Sequence, residues 1–332
     1  LPAQKNSSGL ESIFESHQTS HPATTEYINV QPATTPSETI FQSGGAYTDF
    51  NIPASKSKLQ DASLIMELVN ESLTSMEGVP AHFFVDRVEY FSGTNLIASL
   101  NNYFLYFQSC LLNNTETLKN LSKDLNLMPD SFIGTALMPN EPATFLLPVL
   151  GPFDGLITGL LSSRLRIRIY WNAESKFSSA TPIKLKHTRL RLENLQLHSG
   201  EMESQKSLYK SGKFTHRFLE SRQYSQTMSI APSSSNSFPL ANLNGAFAGF
   251  FLWASPINAV GSGLLWTTNI FDKVYLQGST GEVLQGGSMP TIQELKNAHA
   301  SSFPSSFFGT GYYSRFIVPI IVSANMYNDL KR

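Results

Sequence analysis

Seven histidines, one cysteine and a few strand-adjacent carboxylates are the residues of this chain whose chemistry could go beyond packing. The histidines are His17, His21, His82, His187, His198, His216 and His299. None forms an HxH pair or an HExxH motif, the spacings that set imidazoles around a zinc ion. His17 and His21 stand four apart and on a helix could share a metal, but their surroundings are polar and supply no glutamate. Chance spacing is the plainer reading there, and His187 and His198 read as rim or core residues beside strands. Cys110 cannot build a thiolate cluster alone. Within Tyr106-Phe107-Gln108-Ser109-Cys110-Leu111 it reads as a small buried hydrophobe, with no histidine on the same element to activate it. Glu193 and Glu203 are the carboxylates that a glycosidase would need as an acid–base pair, and surface carboxylates are the simpler reading. No GxSxG, Walker loop or GxGxxG occurs; Gly261-Ser-Gly and Gly309-Thr-Gly are too short to cradle phosphate and read as turns. The expectation is a chain with no catalytic, cofactor-binding or metal site.

The most basic stretch is 164–191, with Arg164, Arg166 and Arg168 followed by Lys184, Lys186, Arg189 and Arg191. A nucleic-acid platform would interleave aromatics on the same face, and only Tyr170 does so within the stretch. The net charge of −1 also argues against bulk binding to nucleic acid, which depends on excess Lys and Arg displacing counterions. A solvated strand face, or an ion-pair seam between subunits, is the favoured reading. Sequons at Asn6, Asn70, Asn113 and Asn120 are chance matches in a chain rich in Asn and Ser.

The element that carries those arginines organises the rest. From 165 to 171, Leu165, Ile167, Ile169 and Trp171 alternate with Arg166, Arg168 and Tyr170, and a period of two sends the two sets to opposite faces of a sheet. Before it runs the apolar segment 145–150, interrupted by Pro148, which predicts an edge strand or a bulge because proline cannot donate to a central ladder. Turn chemistry separates the two, in Gly151-Pro152 and Asp154-Gly155.

Only 15 % of the 332 residues are charged, 11 % are aromatic and Phe alone occurs 23 times, enough apolar material for two barrels of about 150 residues each. A single Cys rules out an intrachain disulfide framework. No secretory signal is expected at the N-terminus. Residues 223–271 lack any charge, but their densest apolar run, 245–254, is half of what a membrane-spanning helix needs, so buried strands are expected.

Taken in order, residues 1–45 read as a polar extended arm, 46–172 as a first barrel and 173–332 as a second. Strands are expected at 47–52, 62–70 and 82–91, with Ala62, Leu64, Met66 and Leu68 on one face. Residues 100–127 switch to helical spacing, capped by Ser99 or Asn101 and broken at Asn113-Asn114. Beyond 173, the pairs Ile183/Leu185, Leu190/Leu192 and Leu195/Leu197 shift parity twice, as bulges would cause. Further strands are expected at 214–230, 247–253 and 272–277, and a helix at 291–300. Sixteen residues later comes Phe316-Ile-Val-Pro-Ile-Ile, an echo of Phe145-Leu-Leu-Pro-Val-Leu, which follows the first helix in the same way. That repetition of helix, loop and proline-bearing strand predicts a tandem duplication.

In this pattern the chain resembles the double jelly-roll major capsid proteins of tailless icosahedral viruses with an internal membrane, in particular their compact bacteriophage members. The resemblance spans about 46–332 and rests on residues 145–171 and on Asp272-Lys-Val-Tyr-Leu-Gln before a Gly-rich turn. It departs from the pattern after Pro319, where 13 residues remain against more than 20 in the first half. What the resemblance implies is an all-β fold of two tandem jelly-roll barrels, each with a short helical insertion. It further implies homotrimers forming pseudo-hexagonal capsomers, made in the host cytoplasm and located in the virion. Their partners would be neighbouring capsomers, penton and minor membrane-associated proteins, and the membrane beneath. The rival classes are a carbohydrate-binding or glycoside-hydrolysing β-sandwich and a viral spike.

Overall fold

Segments of period two dominate the computed structural model, which describes residues 24–112, 124–126, 134–177, 182–216, 218, 220–227, 235, 237–240, 249–252, 272–277, 291, 294 and 318–322. Along the chain come β1 (Thr25–Val30), β2 (Tyr47–Asn51), β3 (Lys58–Asn70), β4 (Met76–Gly78), β5 (Val85–Ser92) and β6 (Asn95–Asn101). Helix α1 (Asn102–Leu112) follows, then β7 (Gly134–Leu137), β8 (Pro142–Pro148), β9 (Leu165–Trp171), β10 (Ile183–Leu195) and helix α2 (Ser199–Lys210). Last come β11 (Gly249–Leu252) and β12 (Val318–Val322).

Eight of these strands make two four-stranded sheets, ordered β1-β10-β3-β8 and β2-β9-β5-β6, with every neighbouring pair antiparallel. The chain passes from one sheet to the other at β1–β2–β3 and again at β8–β9–β10. That four-and-four order is a jelly roll. The fold is all-β with few helices, and α1 is inserted between β6 and β8.

Alternation decides which side chains fill the space between the sheets. Leu165, Ile167, Ile169 and Trp171 are buried, as are Ala62, Leu64, Met66 and Leu68 of β3, while Arg164 is exposed. At one end of the roll Phe41 packs edge-on to Trp171 and Phe177, with ring centroids 5.7 and 5.2 Å apart, and Phe84 stacks on Phe145 at 5.8 Å. Trp171 keeps its indole N–H satisfied by donating to Thr48 Oγ1 at 2.8 Å, which lets so large a ring be buried completely. Near Pro148, Gly151 takes φ +52°, and a Cβ there would lie 2.5 Å from Cζ of the buried Tyr90. Only glycine fits that turn without moving the ring.

Several expectations are corrected. Residues 1–45 are not all an arm: Thr25–Val30 pair with Leu195–Leu190 as an edge strand, and Ile40 and Phe41 lie in the core. The chain does not leave the first barrel near 172, because β10 pairs with β3 across almost its whole length. A strand placed between two others belongs to their sheet, whatever its position in sequence. The first parity shift is real: at Leu185/His187 the extra residue Lys186 moves the buried set from Ile183 and Leu185 to Leu190 and Leu192. The second is not, because at Glu193/Asn194 the extra residue is Gln60 of β3, and Asn194 rather than Leu195 continues the buried face of β10. His82 falls in a 3-10 turn, Ala81–Phe84, ahead of β5 rather than in a strand. The helical reading began too early, since Leu100 belongs to β6. Asn101 is the cap, its side-chain oxygen accepting from Phe104 N–H at 2.8 Å. The break at Asn113-Asn114 and the remainder of that predicted helix to residue 123 lie outside the described residues.

In the later part, the described residues of 214–227 form no strand and run alongside the first roll, Ser221 contacting Ser99 and Asn101 in β6. Residues 272–277 form no continuous strand but include bridge residues, Lys273 pairing with Thr291. Thr291 and Glu294 cap each other reciprocally, the signature of a helix start, while 295–300 lie outside the described residues. Of the 316–321 echo, residues 318–321 lie in a strand, β12, which pairs antiparallel with β11, and 316–317 lie outside the described residues. Among the described residues no helix is long and apolar enough to cross a membrane.

Candidate functional site

Functional reading of this chain turns on one charged and aromatic sheet face. Outward-facing residues of β2, β9, β5 and β6 meet in three cross-strand rows: Tyr47-Tyr170-Arg87-Asn101, Asp49-Arg168-Glu89-Ser99 and Asn51-Arg166-Phe91-Leu96. Each row crosses strands far apart in sequence, so the sheet alone creates it. Arg168 donates to Asp49 through Nε at 2.7 Å and Nη2 at 3.0 Å, a fork-to-fork pair that keeps the guanidinium firmly protonated. Arg166 reaches the same carboxylate more distantly, at 3.6 Å, and its buried Nε has no hydrogen-bond partner. Arg87 is held by Glu89 and Asp86, each at 2.9 Å.

The rings take up the guanidinium faces. Arg87 lies 3.6 Å above Tyr170, Arg168 lies 3.9 Å from Tyr47, and Arg166 lies 4.4 Å from Phe91. Within the stretch 164–191, Tyr170 is the one interleaved aromatic, yet β2 and β5 bring Tyr47 and Phe91 onto the same face. The available signal was the alternation Tyr47-Thr48-Asp49-Phe50-Asn51, whose outward members are Tyr, Asp and Asn. Guanidinium groups already held by carboxylates and rings would have to break those contacts to grip phosphate. The geometry therefore suits a packing face whose ion pairs lie within one chain.

The remaining basic residues sit on the other sheet. Lys184 pairs with Glu71 at 2.6 Å, and Lys186 with Glu38 at 2.8 Å and Glu71 at 3.3 Å. Hydrogen bonds from Lys186 and Lys184 hold Glu38 and Glu71, respectively, below the usual carboxylate range. Arg189 is exposed and Arg191 lies 5.9 Å from the Tyr27 ring. The stretch 164–191 thus divides between two sheets and forms no continuous basic patch.

The histidines scatter too. His82 is fully buried, His187 is exposed opposite Glu67, His198 precedes α2, and His216 donates from Nε2 to Pro152 O at 2.6 Å. His17, His21 and His299 lie outside the described residues, among which no three His, Cys, Asp or Glu side chains gather as a metal site. Cys110 lies on α1, its side chain outside the described set. Glu193 pairs across strands with Asp61 and Tyr27, whereas Glu203 is on α2 bonded to Lys206. These two carboxylates belong to separate elements. The sequon Asn70 is completely buried, its amide donating to Thr74 O and Leu137 O, so it serves a turn. Asn6, Asn113 and Asn120 lie outside the described residues.

The chain is similar to solved virus capsid structures. A quasi-atomic model of the PBCV-1 virus capsid matches at 13 % identity and TM-score 0.42, covering 55 % of this chain and 44 % of that one. The Faustovirus major capsid protein matches at 8 % identity and TM-score 0.41, covering 55 % and 56 %. The atomic structure of Sulfolobus Turreted Icosahedral Virus matches at 11 % identity and TM-score 0.46, covering 92 % and 80 %. The matched region thus spans only about half the length of the first two. No family model matches the chain, and no curated protein sequence matches it.

Proposed function

We propose that this chain is the major capsid protein of an icosahedral virus, a structural subunit rather than an enzyme. In this reading it forms homotrimers that give pseudo-hexagonal capsomers over an internal membrane. Its contacts are with neighbouring capsomers, penton and minor membrane-associated proteins, and it resides in the virion after synthesis in the host cytoplasm. The first roll runs from β1 to β10, and the second occupies the chain that follows.

The observation that carries the reading is repetition after a complete jelly roll. In the first roll an inserted helix precedes β8, whose Phe145-Leu-Leu-Pro segment pairs antiparallel with β3. Later, the capped helix start at Thr291 and Glu294 precedes β12, whose Pro319 pairs with Phe251 of β11, again antiparallel. On this reading β11 and β12 are the counterparts of β3 and β8. A lectin or a cupin closes one jelly roll around a ligand; two in tandem give a chain flat lateral walls, of which the arginine–aromatic face is one. Negative-stain electron microscopy of the purified protein tests this. Six-lobed, pseudo-hexagonal particles are expected, and isolated two-lobed particles at micromolar concentration would overturn the reading.

A further inference from the structure

The imidazole of His82 is the one fully buried histidine among the described residues, and it sits where a loop meets a helix. Its 3-10 turn, Ala81–Phe84, packs against α1, β5 and β8. Ser109 on α1 donates its hydroxyl to Leu105 O at 2.9 Å, so its oxygen accepts the Nε2–H of His82, also at 2.9 Å. That bond fixes the neutral tautomer with Nδ1 bare, and Nδ1 is buried without a hydrogen-bond partner. Tyr106, one turn before Cys110, stands edge-on to the imidazole at 5.5 Å.

Among the described residues, nothing on the elements packed against the turn welcomes a second proton. Helix α1 and β8 carry no charged residue; the titratable residues of α1 are Tyr103, Tyr106 and Cys110. On β5, Asp86, Arg87 and Glu89 bond to one another on the outer sheet face. An imidazolium in this pocket would present an N–H with no acceptor in apolar surroundings, a costly arrangement. Burial accordingly pushes the group down to about 3.

We propose that His82 is an acid latch: the neutral ring pins α1 to the end of the first roll, and protonation releases the helix while the two sheets persist. The cycle is a simple proton uptake at Nδ1 once α1 lifts and water reaches the ring. Each pH unit below the ordinary imidazole value of about 6.5 then raises the lifted population about tenfold. At pH 4.5 the lifted state is favoured about 100-fold over its share at neutral pH. The latch lies wholly within the first roll and does not depend on the chain forming a shell.

Hydrogen exchange read by mass spectrometry, corrected for the intrinsic pH dependence of exchange, tests it on the full chain. Protection of α1 peptides should fall about 100-fold from pH 7 to pH 4.5, with β3 and β9 peptides unchanged. In His82→Gln, whose amide still donates to Ser109 but does not titrate, the fall should be less than about threefold. An equal loss in His82→Gln, unaltered α1 protection in the wild type, or joint loss across both sheets would each overturn the latch. Should His82→Gln fail to fold, Ser109→Ala serves. It keeps the titrating ring, so α1 should exchange faster at pH 7 yet still lose about 100-fold more at pH 4.5; a pH-independent α1 in that variant refutes the proposal.

Discussion

Replacing Asp49 by alanine removes the carboxylate on which the arginine–aromatic face depends. Arg168 loses two charge-assisted hydrogen bonds, at 2.7 and 3.0 Å, and Arg166 loses its contact at 3.6 Å. Both members of the main pair keep only 18 % side-chain exposure, so water restores little of what is lost. Two unit charges about 4 Å apart attract by about 4 kcal/mol at the effective dielectric near a protein surface. Desolvation offsets part of this. A coupling of about 2 kcal/mol between Asp49 and Arg168 is therefore expected, above the range of an open surface pair. The double-mutant cycle Asp49→Ala, Arg168→Met and both together, followed by urea denaturation with circular dichroism, measures it. Most of the coupling should survive 0.5 M salt, because partial burial limits screening. It should not depend on protein concentration, because the pair lies within one chain. A coupling below about 0.5 kcal/mol, or one that grows with concentration as an inter-subunit seam would, refutes the reasoning.

Other expectations can be checked by the same denaturation assay. Gly151→Ala must accept φ +52° and displace a Tyr90 ring 2.5 Å from its Cβ, straining the Tyr90 OH bond to Val149 O; a loss of about 2–4 kcal/mol is expected, and less than 0.5 kcal/mol would contradict the turn geometry. Phe41→Ala empties the junction of the Trp171, Phe84 and Phe177 rings and should cost about 3–5 kcal/mol. Removing residues 1–23 should leave the first roll folded, whereas removing 1–45, which takes β1, Ile40 and Phe41 with it, should abolish its cooperative transition; equal behaviour of the two truncations would return those residues to an arm. Asn101→Ala should lower stability by about 1 kcal/mol through loss of the α1 cap, with faster exchange confined to the first helical turn.

What the sequence made legible follows from how each element is buried. β9 has one wet and one dry face, so its alternation is visible in seven residues. The bulge at Lys186 of β10 is legible because it flips the parity of the buried positions, from Ile183 and Leu185 to Leu190 and Leu192, whereas the bulge at Gln60 lies on β3 and leaves no mark on β10. β1 left little trace: at the sheet edge only Ile28 and Val30 are half-buried, so Thr25–Val30 is as polar as the residues before it. Helix α2 has no buried residue and hence no apolar stripe to read. The domain boundary was misplaced for a different reason. Ile183 pairs with Asn70 and Leu192 with Ala62, and no local feature of residues 183–195 says which distant strand they will join. The candidate face was half visible for the same cause, since Arg166 and Arg168 lie on one strand but Asp49, Tyr47, Arg87 and Phe91 come from two others.

The central claim, that this chain is the repeating subunit of trimeric capsomers, meets its most direct test in sedimentation equilibrium of the purified protein. At micromolar concentration the account predicts a single species of three times the 36.7 kDa chain mass, as expected for a large obligate interface. A stable species of 36.7 kDa at that concentration would contradict it.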